Sequence, residues 1–136
     1  MVNLHKHVGD MEFDGLITDI YPHTRVGGGV IRKPSGEEPV TYKRGTLLAV
    51  SGGTAGDGAL VIMGSEAEEN ETLTPFGILC DDIEVSTDAD EKVSVYVSGC
   101  FDPDKLIVAD EYELTATDID NLRIRNIALK AAADAN

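Results

Sequence analysis

Phe76-Gly77-Ile78-Leu79-Cys80-Asp81-Asp82-Ile83-Glu84-Val85 is followed, after the polar connector Ser86–Lys92, by Val93-Ser94-Val95-Tyr96-Val97-Ser98-Gly99-Cys100-Phe101. Both runs have strand length and carry β-branched or aromatic residues at alternate positions, so the pair reads as a β-hairpin. Leu79, Ile83 and Val85 share one parity, and Val93, Val95, Val97 and Phe101 share another set of alternate positions. A strand's period of two places each set on one face. A register centred on Asp90 brings the two sets together, pairing Leu79 with Phe101, Ile83 with Val97 and Val85 with Val95, and it sets Cys80 opposite Cys100. Neighbouring registers keep the face and separate the thiols. In a reducing compartment both cysteines are expected to be free.

Upstream, residues 16–45 read as short extended pieces broken by turn chemistry. Leu16–Tyr21 stops at Pro22, Gly27-Gly28-Gly29 interrupts, and Pro34-Ser35-Gly36 turns the chain. Thr46–Val50 and Ala59–Met63 are apolar runs of strand length around the loop Ser51–Gly58, and Glu66–Thr74 reads as an exposed acidic loop. Downstream, Leu106–Val108 gives a short strand. Thr117-Asp118 offers a helix N-cap before Ile119 and Leu122, with Arg123 and Arg125 suited to the C-terminal end of the helix dipole. Ile127–Lys130 can close as a last strand. The expected fold is mainly β (α+β): a compact β-hairpin, sandwich- or barrel-like domain with one short C-terminal helix and an extended N-terminal arm. The expected divisions are 1–43 for the arm and first strands, 44–130 for the β-rich domain and 131–136 for a tail.

The 136 residues carry 25 acidic and 11 basic side chains, a formal net charge of −14. That sign argues against direct contact with nucleic acid or an anionic membrane. The charge is unevenly placed. Residues 1–45 are balanced, with Lys6, Arg25, Arg32, Lys33, Lys43 and Arg44 against Asp10, Glu12, Asp14, Asp19, Glu37 and Glu38, so the whole excess falls after residue 45. No stretch approaches the roughly 18 consecutive apolar residues of a spanning helix, and Met1–Asp14 lacks the apolar run of a signal peptide, so the expected address is cytoplasmic.

Chemistry-bearing motifs are sparse. Ser51-Gly52-Gly53-Thr54-Ala55-Gly56-Asp57-Gly58 has the glycines of a phosphate loop but not the Lys-Ser/Thr that must follow them. Asp81, Asp82, Glu84, Asp88, Asp90 and Glu91 could gather calcium, but the spacing lacks the glycine and terminal glutamate of an EF-hand. His5 and His7 share one side of an extended segment, and two ligands do not make a zinc site. No Ser or Cys motif accompanies the histidines, so neither catalytic residues, nor a metal, nor a cofactor is expected.

Several short words resemble the lambda-type head decoration proteins of tailed bacteriophages: Arg44-Gly45-Thr46-Leu47-Leu48, then Phe76-Gly77-Ile78-Leu79 before an acidic hairpin, then Val95-Tyr96-Val97-Ser98-Gly99-Cys100-Phe101, and finally Ile127-Ala128-Leu129-Lys130. The resemblance covers roughly residues 44–130. It implies a non-enzymatic homotrimer on the outer surface of the virion head, made in the host cytoplasm, that clamps neighbouring major capsid proteins after the shell expands. A neutral extended arm suits that role, because a strand can add to a partner's exposed sheet edge. The capsid-binding candidates are Leu4, Phe13, Leu16, Ile17, Ile20 and Tyr21. Leu16–Tyr21 could equally belong to the body's own sheet. The alternative from a different class is a small soluble trimeric β-domain enzyme or ligand-binding module.

Overall fold

The computed structural model describes residues 15–131. Over that span the chain is mainly β, with strands β1 (Ile17–Asp19), β2 (Arg25–Ile31), β3 (Val40–Tyr42), β4 (Leu47–Gly52), β5 (Leu60–Ile62), β6 (Thr72–Leu79), β7 (Ile83–Val85), β8 (Glu91–Phe101) and β9 (Ile127–Leu129), and one helix, α1 (Ala116–Ile124). Strands β8, β2, β5, β4, β6 and again β8 pair in turn, which closes a barrel-like ring; all contacts are antiparallel except the single parallel step from β2 to β5. The C-terminal end of β8 continues beyond the ring between β1 and β9. Strands β3 and β7 form a separate two-stranded sheet, and their Tyr42, Ile83 and Val85 pack on the ring's interior.

Two cores result. Ile31, Leu48, Leu60, Leu79, Val85 and Val95 fill the ring, with Phe76, Ile83, Val93 and Val97 against them. Leu79, Ile83, Val85, Val93, Val95 and Val97 thus share one core, as their alternation requires. Outside the ring, Leu16, Leu47, Ile78, Tyr96, Phe101, Leu122 and Ile127 make a second core beneath α1 and β9. Phe101 changes sides because β8 carries a bulge. Arg25 pairs with Ser98 while Val26 pairs with Tyr96, so Val97 is an extra residue and the parity reverses after it. Phe76 is the corresponding extra residue in β6, where Leu48 pairs with Gly77 and Ala49 with Pro75.

The hairpin differs from the expected register. Ile78 lies opposite Tyr96 and Leu79 opposite Val95, so the turn is centred on Thr87, not Asp90. Ile83–Val85 leaves β8 altogether and pairs with β3, Ile83 opposite Tyr42. Arg44 drives this departure. Its side chain donates to the Cys80 carbonyl at 3.0 Å and to the Tyr96 hydroxyl at 2.5 Å, and its backbone N–H donates to the Asp82 carboxylate at 2.7 Å. The chain is held away from β8 as soon as Cys80 has bonded to Ser94. The cysteines are therefore not opposite one another: Cys100 lies six residues, or about 20 Å of strand, beyond Ser94. Both are buried and free, and burial, reinforced by the Asp81 charge, pushes the Cys80 thiol up to about 11.

Three further expectations change. The triple glycine does not interrupt a strand, since β2 runs through it. A Cβ built on Gly29 would sit 2.5 Å from Leu60 Cδ1, and one on Gly27 would sit 3.1 Å from Val97 Cγ1. The ring interior is already full at those points. The helix begins earlier than Thr117, with Thr115 as N-cap: its hydroxyl accepts from the Asp118 N–H at 3.1 Å while the Asp118 carboxylate accepts from the Thr115 N–H at 3.1 Å, a reciprocal capping box. Leu106–Val108 contributes one bridge, from Ile107 to Thr46. The loop expected at Ser51–Gly58 starts two residues later, because β4 continues through Ser51 and Gly52, while the final strand begins at Ile127 as expected.

Gly28 faces outward, with nothing nearer to a built Cβ than the Val93 carbonyl at 3.9 Å. The neighbouring glycines therefore differ in tolerance. Gly29→Ala should destabilise the body by about 1–3 kcal/mol through overpacking against Leu60, whereas Gly28→Ala should stay within ~0.5 kcal/mol of the parent. Urea unfolding of the two variants measures the contrast, and equal values would contradict the inward assignment of Gly29.

Candidate docking surface

The path of β1 and β2 beside β8 determines what the N-terminal part of the body presents to solvent. The Asp102 N–H bonds to the Leu16 carbonyl and the Gly99 N–H to that of Asn126, so β1 and β9 flank opposite edges of β8. Asp19 lies opposite Cys100 and Arg25 opposite Ser98. Five residues, Ile20–Thr24, must therefore fit opposite the single residue Gly99, and they leave the sheet as a knuckle.

Both ends of the knuckle are fastened. The Asp19 carboxylate accepts from the Ile20 N–H at 2.7 Å and from Lys130 Nζ at 2.9 Å, and the Thr18 hydroxyl donates to the Lys130 carbonyl at 2.9 Å. The Lys130 hydrogen bond, followed by the Ile20 N–H, holds the Asp19 carboxyl below its ordinary range. At the other end the Ser98 hydroxyl donates to the His23 carbonyl at 2.7 Å. The Tyr21–Pro22 peptide bond is cis, and the Tyr21 and His23 rings lie 5.1 Å apart.

The candidates from the sequence divide along this path. Leu16 is in the outer core, and Ile17 is half-buried in β1. The structure thus places Ile17 in the body's sheet and Leu16 in the core beside it. Ile20 and Tyr21, on the knuckle, are 71% and 65% exposed. Leu4 and Phe13, like His5 and His7, lie outside the described residues. Beside the knuckle is a groove of about 290 Å³ lined by Pro22, His23, Arg25, Val97, Ser98, Arg125 and Asn126. Arg125 reaches it as the C-cap of α1, with its guanidinium 5.3 Å from the centre of the Phe76 ring. Nothing in the sequence marks Arg25 and Arg125 as neighbours. They are remote along the chain, and only the ladder that joins β2, β8 and β9 brings them together.

The most concentrated polar cluster lies elsewhere, under the glycine-rich loop. Glu71 is buried, contrary to the exposed loop expected of Glu66–Thr74. Its carboxylate accepts from the Glu68 N–H at 2.8 Å, from Arg32 Nη2 at 3.0 Å and from the Ser51 hydroxyl. Those bonds, the Glu68 N–H first, hold it down at about 2. Asp57, bonded to the Ala59 N–H and to Arg32 at 2.9 Å, closes the loop over the same guanidinium. Both oxygens of Glu71 are engaged, one closing its own turn at Glu68 and the other joining Arg32, just past β2, to Ser51 of β4. Among the acidic residues of the hairpin, Asp82 and Asp90 accept backbone N–H groups from Arg44 and Lys33. Among the described residues no three His, Cys, Asp or Glu side chains assemble as metal ligands, and no helix is long and apolar enough to cross a membrane.

No family model matches the chain, and no curated protein sequence matches it.

The Glu71 cluster makes a pH prediction with a definite sign. Its carboxyl titrates lower in the folded body than its ordinary value of 4.5, so its contribution is complete above that value and is lost as pH falls toward 2. The stability advantage of the parent over Glu71→Gln, followed by denaturant unfolding, should be constant at neutral pH and shrink through that acidic window. A difference independent of pH would remove the carboxylate from the loop's anchoring.

Proposed function

We propose that this chain is a bacteriophage capsid decoration protein that binds the outer surface of the expanded head as a trimer and clamps neighbouring major capsid proteins. The observation that carries the reading is the place of the family-like words in the fold. Arg44-Gly45-Thr46-Leu47-Leu48 turns into β4, Phe76–Leu79 ends β6, Val95–Phe101 ends β8 and Ile127–Leu129 is β9. These four segments are hydrogen-bonded neighbours, β4 to β6, β6 to β8 and β8 to β9. Words far apart in sequence thus form one continuous sheet, with individual roles within it. Arg44 braces Cys80 and Tyr96. Gly45 has a φ of 98°, and a Cβ there would meet the Lys105 carbonyl at 3.0 Å. Leu47 and Leu48 feed the two cores.

The exposed pair Ile20–Tyr21 supplies an apolar contact of the kind a head surface can bury, and it lies within residues 1–43, the part of the chain expected to form the arm and first strands. Trimerisation would multiply modest single contacts, because the second and third docking events occur at high effective concentration. An acidic body facing outward would keep decorated heads from adhering to one another.

Electron microscopy of the protein mixed with expanded and unexpanded heads of its cognate coat protein tests this. Trimeric knobs are expected on expanded heads only, with sedimentation of the free protein at three chain masses beforehand or assembly of the trimer on the shell. Ile20→Asp with Tyr21→Asp should remove the knobs while leaving the thermal midpoint nearly unchanged, since both side chains are exposed. Bare heads with the parent protein would end the proposal, and full decoration by the double variant would remove the knuckle from it.

A further inference from the structure

Strand β2 is paired on one side only over most of its length. Consecutive residues of a strand turn their N–H and C=O groups to opposite edges, and two hydrogen bonds fix the direction for each residue here. The Cys80 N–H donates to the Ser94 carbonyl at 3.1 Å, so Ser94 and Tyr96 face β6, while Val93 and Val95 face β2 and bond with Gly29 and Gly27. The Arg32 N–H donates to the Leu60 carbonyl at 2.9 Å on the far edge. Val26, Gly28 and Val30 therefore turn as Arg32 does, away from β8. Strand β5 meets that edge only at the pair of Ile31 with Leu60. Among the described residues, the peptide groups of Val26 and Gly28 and the Val30 N–H face no strand.

This edge is unguarded. Natural sheets blunt an open edge with lysine, proline or a short strand, but Val26-Gly27-Gly28-Gly29-Val30 has neither charge nor proline. Val26 is 60% and Val30 37% exposed. At its Arg25 end the edge meets the groove between the knuckle and the end of α1. There Arg25 and Arg125 line the same groove, and among the described residues neither is in an ion pair. Two unneutralised guanidiniums side by side, in a chain with fourteen excess negative charges, favour an incoming carboxylate.

We propose that the open edge of β2 accepts an extended acidic segment of a partner protein as an added strand, its backbone paired with Val26, Gly28 and Val30 and a carboxylate seated over Arg25 and Arg125. Backbone bonds would supply affinity, and alternate side chains packing beside Val26 and Val30 would supply selectivity. This deepens the decoration reading, under which the coat protein is the partner, but the edge can be tested without heads, so the two can fail separately.

The full-length, isotope-labelled chain would be titrated with the acetylated peptide Thr-Val-Thr-Val-Thr-Glu-Glu and with its counterpart ending in Lys-Lys, reading amide exchange residue by residue. In the free chain the amides of Val26, Gly28 and Val30 should exchange fast and those of Gly27 and Gly29 slowly. The Glu peptide should slow the first three at least tenfold and bind at least tenfold more tightly than the Lys peptide at low salt. Gly28→Pro removes only an outward N–H and should abolish binding. Arg25→Glu with Arg125→Glu, which touches no strand bond, should reverse the preference between peptides, and this holds the proposal to account even if the proline variant does not fold. Equal affinity for the two peptides, or no protection by either, overturns it. So does edge protection that rises with protein concentration alone, which assigns the edge to a second copy. Protection in the free chain that vanishes on deleting residues 1–14 likewise overturns it, by assigning the edge to the protein's own N-terminal segment.

Discussion

An eleven-residue strand such as β8 cannot be buried unless both of its edges find hydrogen-bond partners, because each unpaired peptide group withdrawn from water costs about as much as a lost hydrogen bond. The chain meets this demand with four separate segments: β1 and β2 along one edge, β6 and β9 along the other. The remaining architecture follows. One residue too many, at Val97, turns the last part of β8 over, so that Val93, Val95 and Val97 serve the ring interior while Phe101 serves the outer core. Gly99, at a φ of 145°, lies immediately after that bulge, and the Phe101 ring sits 2.8 Å from where its Cβ would be. A side chain there would displace the aromatic group that joins β1, β9 and α1 into one layer.

Alternation at period two was sufficient to reveal the mainly β class and to collect six residues of the ring core on one face, because that pattern depends only on strand geometry. The register was not legible in the same way. Strand length and turn composition centred the hairpin on Asp90, whereas the guanidinium of Arg44, remote in sequence, ends the pairing at Cys80 and hands Ile83–Val85 to β3. The triple glycine reads as an interruption because local propensity penalises glycine in a strand; its cause is the space filled by Leu60 and Val97 across the ring. At the candidate site, Ile20 and Tyr21 were legible as apolar residues stopped by a proline. Leu16 and Ile17 carry the same pattern, and only their position against Phe101 and Asp102 separates core from surface.

The acidic excess is less of a passive coating than composition implies. Asp19, Asp57, Glu71, Asp82, Asp90, Asp102 and Asp118 each accept a backbone N–H. A carboxylate is a strong acceptor for such groups, and short strands joined by many loops leave many backbone donors without a ladder partner. Carboxylates replace missing secondary structure here, which is one physical reason why so many occur in a body with few long elements. The price is mutual repulsion, and the basic residues relieve it unequally. Arg32 and Lys130 are each shared with carboxylates, while Arg25 and Arg125 are committed to none among the described residues.

That inequality bears on which partner an open strand edge favours. Two copies approaching edge to edge would each carry a net charge of −14, and repulsion between like-charged bodies accumulates over a broad contact. A single extended segment is slender. With a screening length of roughly 8 Å at physiological ionic strength, it responds mainly to the charges it touches, which at the Arg25 end of β2 are two guanidiniums. The same charge distribution would therefore disfavour the pairing of two copies along this edge and, under the proposal above, favour an acidic strand there. The knuckle belongs to this arrangement, since the five residues that bulge out as Ile20–Thr24 are those that let β1 and β2 share one edge of β8. Shortening that connection to fit the ladder would withdraw the apolar contact and reshape the groove holding Arg25 in one step, so the docking features depend on an irregularity that sheet pairing alone would not require.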